Sequence, residues 1–245
     1  RFGTEFVDAD ATAVDFSGQP LRVAVDDQWY EARAVIIATG ASARWLGLES
    51  EQRLRGRGVS SCATCDGFFF KGEDVFVVGG GDSALEEALY LANICQSVTV
   101  IHRRDQLRAS KIMQERAFAR ENIRFIWNSV VTEVLGEDRV TGVRLQNVKT
   151  GETSELSGAA LFVAIGHKPN TEIFRGQVEM DEQGYIIARE RTLTSVAGVF
   201  VAGDVHDFRY RQAITAAAEG CKAALDVERW LNETTAPAAA TAAEE

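Results

Sequence analysis

Segment 75–81 reads Val-Phe-Val-Val-Gly-Gly-Gly, a short apolar run closed by glycines. An Ala-, Leu- and Glu-rich helical pattern follows from Asp82 to about Cys95, and a second apolar run spans Val98–Ile101. Strand, turn, helix, strand is the opening of a doubly wound parallel sheet. Residues 111–120 predict a second helix. From Ile123 to Asn147 apolar positions alternate, with turn signals at Gly136-Glu137-Asp138, which predicts a β-meander. The run Leu161–Ile165 then ends at Gly166. The same order appears upstream. Residues 5–30 alternate around a turn at Ser17-Gly18-Gln19-Pro20 and lead to Val35-Ile36-Ile37-Ala38-Thr39, closed by Gly40. Meander, apolar strand and Ala-x-Gly therefore occur twice, at 5–40 and at 123–166. An internal repeat on this scale predicts an α/β chain with two related, Rossmann-like nucleotide-binding domains.

Only the second copy carries a glycine turn and helix in front of it. The chain opens at Arg1 inside a segment that reads as a strand, so the expectation is an incomplete N-terminus with the first copy's βαβ unit missing. After Thr171 short strands are predicted at Tyr185-Ile186-Ile187 and Val199–Ala202, the second running into Gly203-Asp204. A last helix from about Ile214 to Leu231 carries an Ala-rich face. Residues 233–245 lack a core-forming pattern and read as a disordered tail.

Composition narrows the class. With 245 residues, 46% hydrophobic and 25% charged, this is a globular chain of one or two domains. No apolar run approaches the ~20 residues of a membrane span. A net charge of −10 disfavours nucleic acid and anionic membranes as partners. Four cysteines and no leader pattern make a reducing cytoplasm the expected compartment.

Gly79, Gly81 and Ala84 match G-x-G-x-x-A between a strand and a helix. The first glycine allows the tight turn, the second lets a pyrophosphate approach the backbone, and the small third residue lets helix and strand pack closely. The helix start, with Asp82 and Ser83, offers free N–H groups to phosphates. The end of the next strand distinguishes the two nicotinamide dinucleotides. An NAD site carries an acid there for the ribose hydroxyl. This chain has His102-Arg103-Arg104 and then Arg108. Guanidinium forks suit a 2′-phosphate, so NADPH is the expected ligand, with those four residues around the phosphate.

Cys62-Ala63-Thr64-Cys65 is a C-x-x-C followed by Asp66-Gly67. Such a pair can form a disulfide or share a metal. Structural zinc usually takes four ligands, and neither Cys95, Cys221 nor the three histidines supply a second pair. A redox dithiol is the favoured reading because the motif tunes a thiolate for exchange. Zinc and an incidental pair remain the alternatives. Asp66 is a candidate proton shuttle for a leaving thiolate, or else a turn residue. Phe68, Phe69 and Phe70 are expected to pack in the core or against a ring system. Cys95 and Cys221 read as small buried residues.

The motif Cys62-Ala63-Thr64-Cys65-Asp66-Gly67, the turn at 79–84, His102-Arg103-Arg104, Gly166-His167-Lys168-Pro169-Asn170-Thr171 and Gly203-Asp204 through Arg211-Gln212-Ala213 occur in one order. Together, from about Thr4 to Leu231, they resemble the bacterial-type, low-molecular-weight thioredoxin reductases. A dithiol just before the glycine turn of the NADPH domain is particular to that family. The resemblance implies two three-layer ββα domains, with the FAD domain split around the NADPH domain: about 1–41 and 170–232 for FAD, 42–169 for NADPH. It puts Ile165 and Gly166 at the NADPH site, and Gly40, Gly203, Asp204, Arg211, Gln212 and Ala213 at the FAD site. It implies hydride transfer from NADPH to FAD, with the Cys62–Cys65 pair then passing electrons to thioredoxin. Cys65 is the flavin-side sulfur in this scheme, Cys62 attacks the partner, and Asp66 is the acid–base group. It also implies a homodimer. The family's N-terminal glycine turn is absent here. The chain alone is therefore expected to bind NADPH through 79–108, to retain little FAD and to reduce little thioredoxin. The rival readings are a reductase with another acceptor, such as a peroxiredoxin-type protein, and an NADP-binding protein without flavin.

Overall fold

The computed structural model describes residues 3–235. The described residues divide into two compact units: one runs up to Ser42 and resumes at Lys168, the other is Ala43–His167. The first unit opens on an antiparallel meander of β1 (Ala11–Asp15), β2 (Leu21–Val25) and β3 (Gln28–Ala32). Val14, Leu21 and Val23 pack into one core while Arg22, between the last two, faces out, the period-2 alternation of a sheet with one wet face. β4 (Val35–Ile37) follows, and the chain leaves along β5 (Ala41–Ala43).

In the second unit come α1 (Glu49–Arg53), β6 (Val59–Ser60), α2 (Ala63–Asp66), β7 (Asp74–Val78), α3 (Asp82–Leu91), β8 (Ser97–Ile101), α4 (Lys111–Phe118) and β9 (Ile123–Ile126). The meander β10 (Ser129–Leu135), β11 (Gly142–Asn147) and β12 (Thr153–Ser157) precedes β13 (Ala160–Val163). The parallel sheet has the order β6-β13-β7-β8-β9. Alternation along β7 builds its two cores. Val75 and Val77 face α3 and α4, where Ala84, Leu85, Ala88 and Leu91 form the helical stripe. Phe76 faces the meander, meeting Val131, Val134, Val143 and Leu145. The unit is thus three layers: meander, parallel sheet, helices.

The chain returns through β14 (His167–Pro169), which pairs with β5, and reaches β15 (Val199–Val201). β15 lies parallel to β4, Val199 opposite Val35 and Val201 opposite Ile37. These strands pack with Val14, Phe16, Phe174, Ile186 and Val205. The last helix is α5 (Ala213–Thr235). Among the described residues no helix is long and apolar enough to cross a membrane, and no cluster of metal-ligating side chains occurs.

Several expectations need correction. Ile123–Ile126 is the edge strand of the parallel sheet, not the start of the meander, because its backbone pairs with β8. Tyr185–Ile187 is not a strand; a single bridge, Met180 with Ile186, is all that forms there. Residues 3–10 are likewise not strand. Residues 233–235 belong to α5 rather than to a tail, the helix-favouring sequence continuing past Leu231; the remainder of the expected tail lies outside the described residues. Phe68 and Phe69 are 69% and 78% exposed, because the short 3-10 turn Gly67–Phe70 points only Phe70 inward, edge-on to Phe162. Cys95 is buried, but Cys221 is exposed on a face of α5 that no described residue covers.

Phe162 is fully buried on β13 between β6 and β7. Phe162→Ala is expected to cost about 3–5 kcal/mol, the range for emptying an aromatic site in a close-packed core. Urea unfolding followed by tryptophan fluorescence measures it.

Candidate functional site

The end of β7 is where backbone and neighbours approach most closely. Gly79 has φ +156°, and a Cβ there would lie 2.5 Å from the Ala164 carbonyl oxygen and 2.6 Å from the Ala84 methyl. Only glycine fits, and only a small residue fits at 84. A Cβ on Gly80 would lie 2.2 Å from the His102 ring. Gly81 is different: a Cβ there meets nothing within 4 Å, because its α-carbon borders an open cleft. That cleft has a volume of about 700 Å³ and is lined by residues 79–83, Ile101–Arg104, Arg108 and Ala164–Gly166.

The basic segment after β8 is laced to the glycine turn. The Gly80 carbonyl accepts the N–H groups of Arg108 at 2.7 Å and Ala109 at 3.1 Å. Asp82 Oδ1 accepts both the N–H and the hydroxyl of Ser110, each at 2.8 Å, and these bonds lower the carboxyl's pKa. Lys149 Nζ donates to Asp105 at 2.8 Å. Arg103, Arg104 and Arg108 line the cleft with no ion pair among the described residues. His102 is placed otherwise. Its ring is buried, its Nε2 lies 3.0 Å from the Gln106 carbonyl, and the backbone of Gly79 also bonds it. Burial, with Arg104 and Arg103 behind it, pushes the imidazole below its ordinary pKa against those two hydrogen bonds. The ring therefore joins the turn to the basic segment, while the three arginines face the open space.

Sequence reasoning missed the far wall of this cleft, formed by Arg44, Trp45, Leu46 and Ser129–Val131. The fully buried Glu51 carboxylate holds that wall, accepting the N–H groups of Leu46 and Gly47 at 2.9 Å each. The Arg55 guanidinium lies over the Trp45 ring at 3.9 Å. An acid in an otherwise ordinary short helix gives no pattern that marks it in a sequence.

In the same unit Cys62 and Cys65 are joined in a disulfide at the start of α2. Cys62 Sγ accepts the Cys65 N–H at 3.2 Å. Cys65 is exposed and Cys62 and Asp66 are half-buried. Asp66 Oδ2 accepts the Ser60 hydroxyl at 2.6 Å. A second cleft of about 660 Å³ opens beside Asp66 and Phe69, with Arg57, Glu73 and Arg139 on its walls.

The first unit repeats the strand-to-glycine exits. Gly40 follows β4 with φ +68°, and its carbonyl accepts the Asn170 N–H at 3.0 Å. Gly203 follows β15 with φ +77°, where a Cβ would crowd Ala216 of α5 at 3.3 Å. Glu219, unremarked in the sequence, accepts the Gly203 N–H and pairs with His206, both at 2.8 Å. Burial raises the pKa of Asp204, with Arg211 opposing. Arg211 has φ +49°, and its buried Nε has no hydrogen-bond partner among the described residues. Gln212 takes the Ala216 N–H at 3.0 Å and Ala213 begins α5. An orphaned guanidinium N–H beside a desolvated carboxyl fits a polar ligand completing this site.

Residues 2–220 match the pyridine nucleotide-disulphide oxidoreductase family. The chain is 54% identical over 234 residues to the thioredoxin reductase of Streptomyces clavuligerus, covering 94% of this chain and 72% of that one. It is 55% identical to the thioredoxin reductase of Mycolicibacterium smegmatis, covering 95% and 75%. Among solved structures it resembles thioredoxin reductase from Streptococcus pyogenes, with a TM-score of 0.86 at 43% identity, covering 92% of this chain and 74% of that one. Thioredoxin reductase from Giardia duodenalis gives a TM-score of 0.89 at 43% identity, covering 94% and 76%.

The His102 geometry sets a pH dependence. The unfolded chain takes up this proton near the ordinary value of 6.5, the folded chain only below it. The unfolded state thus binds more protons in that interval, so His102's contribution is complete above pH 6.5 and is lost as pH falls toward the folded value. A ring NMR titration is expected to show a midpoint below 6.5, and His102→Asn to flatten this part of the pH–stability curve. A midpoint above 6.5 would contradict the buried, neutral ring.

Proposed function

The chain belongs to the pyridine nucleotide-disulphide oxidoreductase family, and from that premise we propose that it is an NADPH-dependent flavoprotein that reduces the disulfide of thioredoxin. The observation that carries the reading is one unit holding both a redox-capable pair, Cys62–Cys65, and a glycine-floored cleft with three arginines that pair with no acid among the described residues. A dehydrogenase of small metabolites has no use for the first, and a simple thiol–disulfide protein none for the second.

The cleft fits NADPH. Residues Gly79–Ala84 would take the pyrophosphate, since the open side of Gly81 admits phosphate oxygens to the backbone and α3 presents its N-terminus there. Arg103, Arg104 and Arg108 would take the 2′-phosphate, with His102 holding them in place; Ile165 and Gly166 close the cleft. In the first unit Gly40, Gly203, Asp204, Arg211, Gln212 and Ala213 would hold FAD, the orphaned Arg211 Nε and the desolvated Asp204 supporting that assignment. When bound, the two cofactors supply hydride and electron transfer, and the protein positions them.

The chain's own part is thiol chemistry. In the disulfide the Cys65 N–H is aimed at Cys62 Sγ, a donor that would also serve that sulfur once the pair is reduced. That suits Cys62 as the sulfur that attacks the partner, and Cys65 as the flavin-side sulfur. Asp66 would protonate the leaving thiolate. The exposed Phe68 and Phe69, directly after the dithiol, offer an apolar landing surface for a protein partner. The reading extends to a cytoplasmic homodimer as the working form.

Two measurements test this. Arg103→Ala combined with Arg104→Ala is expected to weaken NADPH far more than NADH, because each charge-assisted bond contributes roughly 1.5–3 kcal/mol. Equal losses by calorimetry would refute the phosphate assignment. In the chain reduced with dithiothreitol and freed of it, Cys62→Ser and Cys65→Ser are each expected to abolish reduction of the thioredoxin disulfide, with Cys65→Ser alone trapping the partner as a mixed disulfide on Cys62. Turnover in either variant would refute the dithiol role.

A further inference from the structure

Ser60 ends β6, and its backbone is fixed in the sheet opposite Phe162 of β13. Its side chain is buried. The hydroxyl donates to Asp66 Oδ2 at 2.6 Å and accepts the Cys62 N–H at 3.1 Å. The Cys62 carbonyl oxygen lies 3.4 Å from the same hydroxyl. One side chain on a rigid strand thus touches both the acid and the backbone of the first dithiol residue.

We propose that Ser60 is a positioning residue for proton transfer at the dithiol: its hydroxyl holds Asp66 in place and gives that carboxyl a hydrogen-bond partner in both its charged and its protonated form. With Asp66 charged, the hydroxyl hydrogen points to Oδ2. With Asp66 protonated, the carboxyl O–H donates to Ser60 Oγ and the hydroxyl hydrogen turns to the Cys62 carbonyl. A hydroxyl can make this exchange because it both donates and accepts. Buried polar groups left without a partner are costly, so an acid that changes protonation during turnover needs a neighbour that changes with it. Ser60 and Asp66 line the same cleft as Phe69, Phe70 and Arg139, and the hydroxyl of Ser60 is the side-chain donor that holds the carboxyl at the wall of that cleft.

The inference rests on the dithiol reading above. In the step concerned, the Cys62 thiolate attacks one sulfur of a disulfide. The Cys62–sulfur bond forms, the partner's S–S bond breaks, and the departing thiolate takes the proton of the Asp66 carboxyl. The Cys65 thiolate then attacks Cys62, re-forming the Cys62–Cys65 bond and expelling the second thiolate. Two electrons pass from the dithiol to the partner disulfide.

General-acid assistance matters in proportion to the basicity of the leaving thiolate, which separates a proton role from a merely structural one. The full chain is reduced with dithiothreitol, freed of reductant, and mixed with two disulfides in a stopped-flow instrument. Dithiobis(nitrobenzoate) releases an acidic thiol that departs unaided; glutathione disulfide releases an ordinary one. Ser60→Ala is expected to slow the glutathione reaction about tenfold and leave the nitrobenzoate reaction unchanged. Ser60→Thr, which keeps the hydroxyl, is expected to restore the wild-type ratio. Should Ser60→Ala fold poorly, Ser60→Val, which has the shape of the threonine without its hydroxyl, provides the same comparison against Ser60→Thr, and Asp66→Asn is expected to show the same selective loss. Equal slowing with both disulfides, or none with either, would overturn the role of Ser60 while leaving the dithiol reading intact. No exchange by the reduced wild-type chain with either disulfide would overturn that reading and the proposal with it.

Discussion

The second unit depends on the absence of side chains at the end of β7. Three residues there touch different neighbours. Gly79 lies against β13's exit and α3, Gly80 lies against the His102 ring, and Gly81 lies against open space. Any side chain at the first two would push the helix or the basic segment away; one at the third would fill the cleft. Steric exclusion, rather than any single strong bond, thus sets where α3 begins and how close its N-terminus can come to a ligand. The hydrogen bonds follow from that closeness. Arg108 and Ala109 reach the Gly80 carbonyl, and Ser110 reaches Asp82, because the two segments are already in contact.

The same constraint explains which parts of the fold the sequence displayed. The strand–turn–helix–strand order was legible because α3 carries Ala84, Leu85, Ala88 and Leu91 at helical spacing between two short apolar runs, whereas the three layers came from the resemblance, since β7 is apolar throughout and only the structure divides it between two cores. Such patterns lie within one element. Pairing does not. Ile123–Ile126 has the same alternating character as the meander strands, and only its hydrogen bonds to β8 assign it to the parallel sheet. Tyr185 and Ile186 are apolar and buried as a strand would be, yet their backbone has one bridge and no ladder. Phe68 and Phe69 show the limit most plainly. Three consecutive aromatic residues look like core, but a tight turn cannot send three successive side chains the same way.

The candidate site divides along the same line. Residues on contiguous motifs were legible: the dithiol, the glycine turn and the arginines that line the cleft. Residues that act by support were not. Glu51, Ser60 and Glu219 each hold a backbone or an acid through bonds to another segment, and in sequence each is an ordinary polar residue. His102 stood in the motif but with a different task from its neighbours. It shares their basic character, and only its burial beneath Gly80 separates the residue that braces the segment from those that face the cleft.

Charge adds a further separation of scales. The chain carries 36 acidic against 26 basic side chains, a net charge of −10, yet its arginine-lined cleft suits a polyanion. Over a whole molecule that charge would repel a dinucleotide. Screening confines the influence of exposed charges to about 8 Å at physiological ionic strength. What a phosphate meets at the cleft is therefore the local set: Arg103, Arg104 and Arg108, without ion-pair partners among the described residues, plus the aligned N–H groups at the start of α3. The nearby acids are already engaged, Asp82 by Ser110 and Asp105 by Lys149, so their negative charge is directed to bonds within the fold. Keeping the arginines uncommitted while pairing the acids around them is how an acidic protein can build a cationic pocket, and it does so with neutral His102 as the brace rather than as a fourth charge.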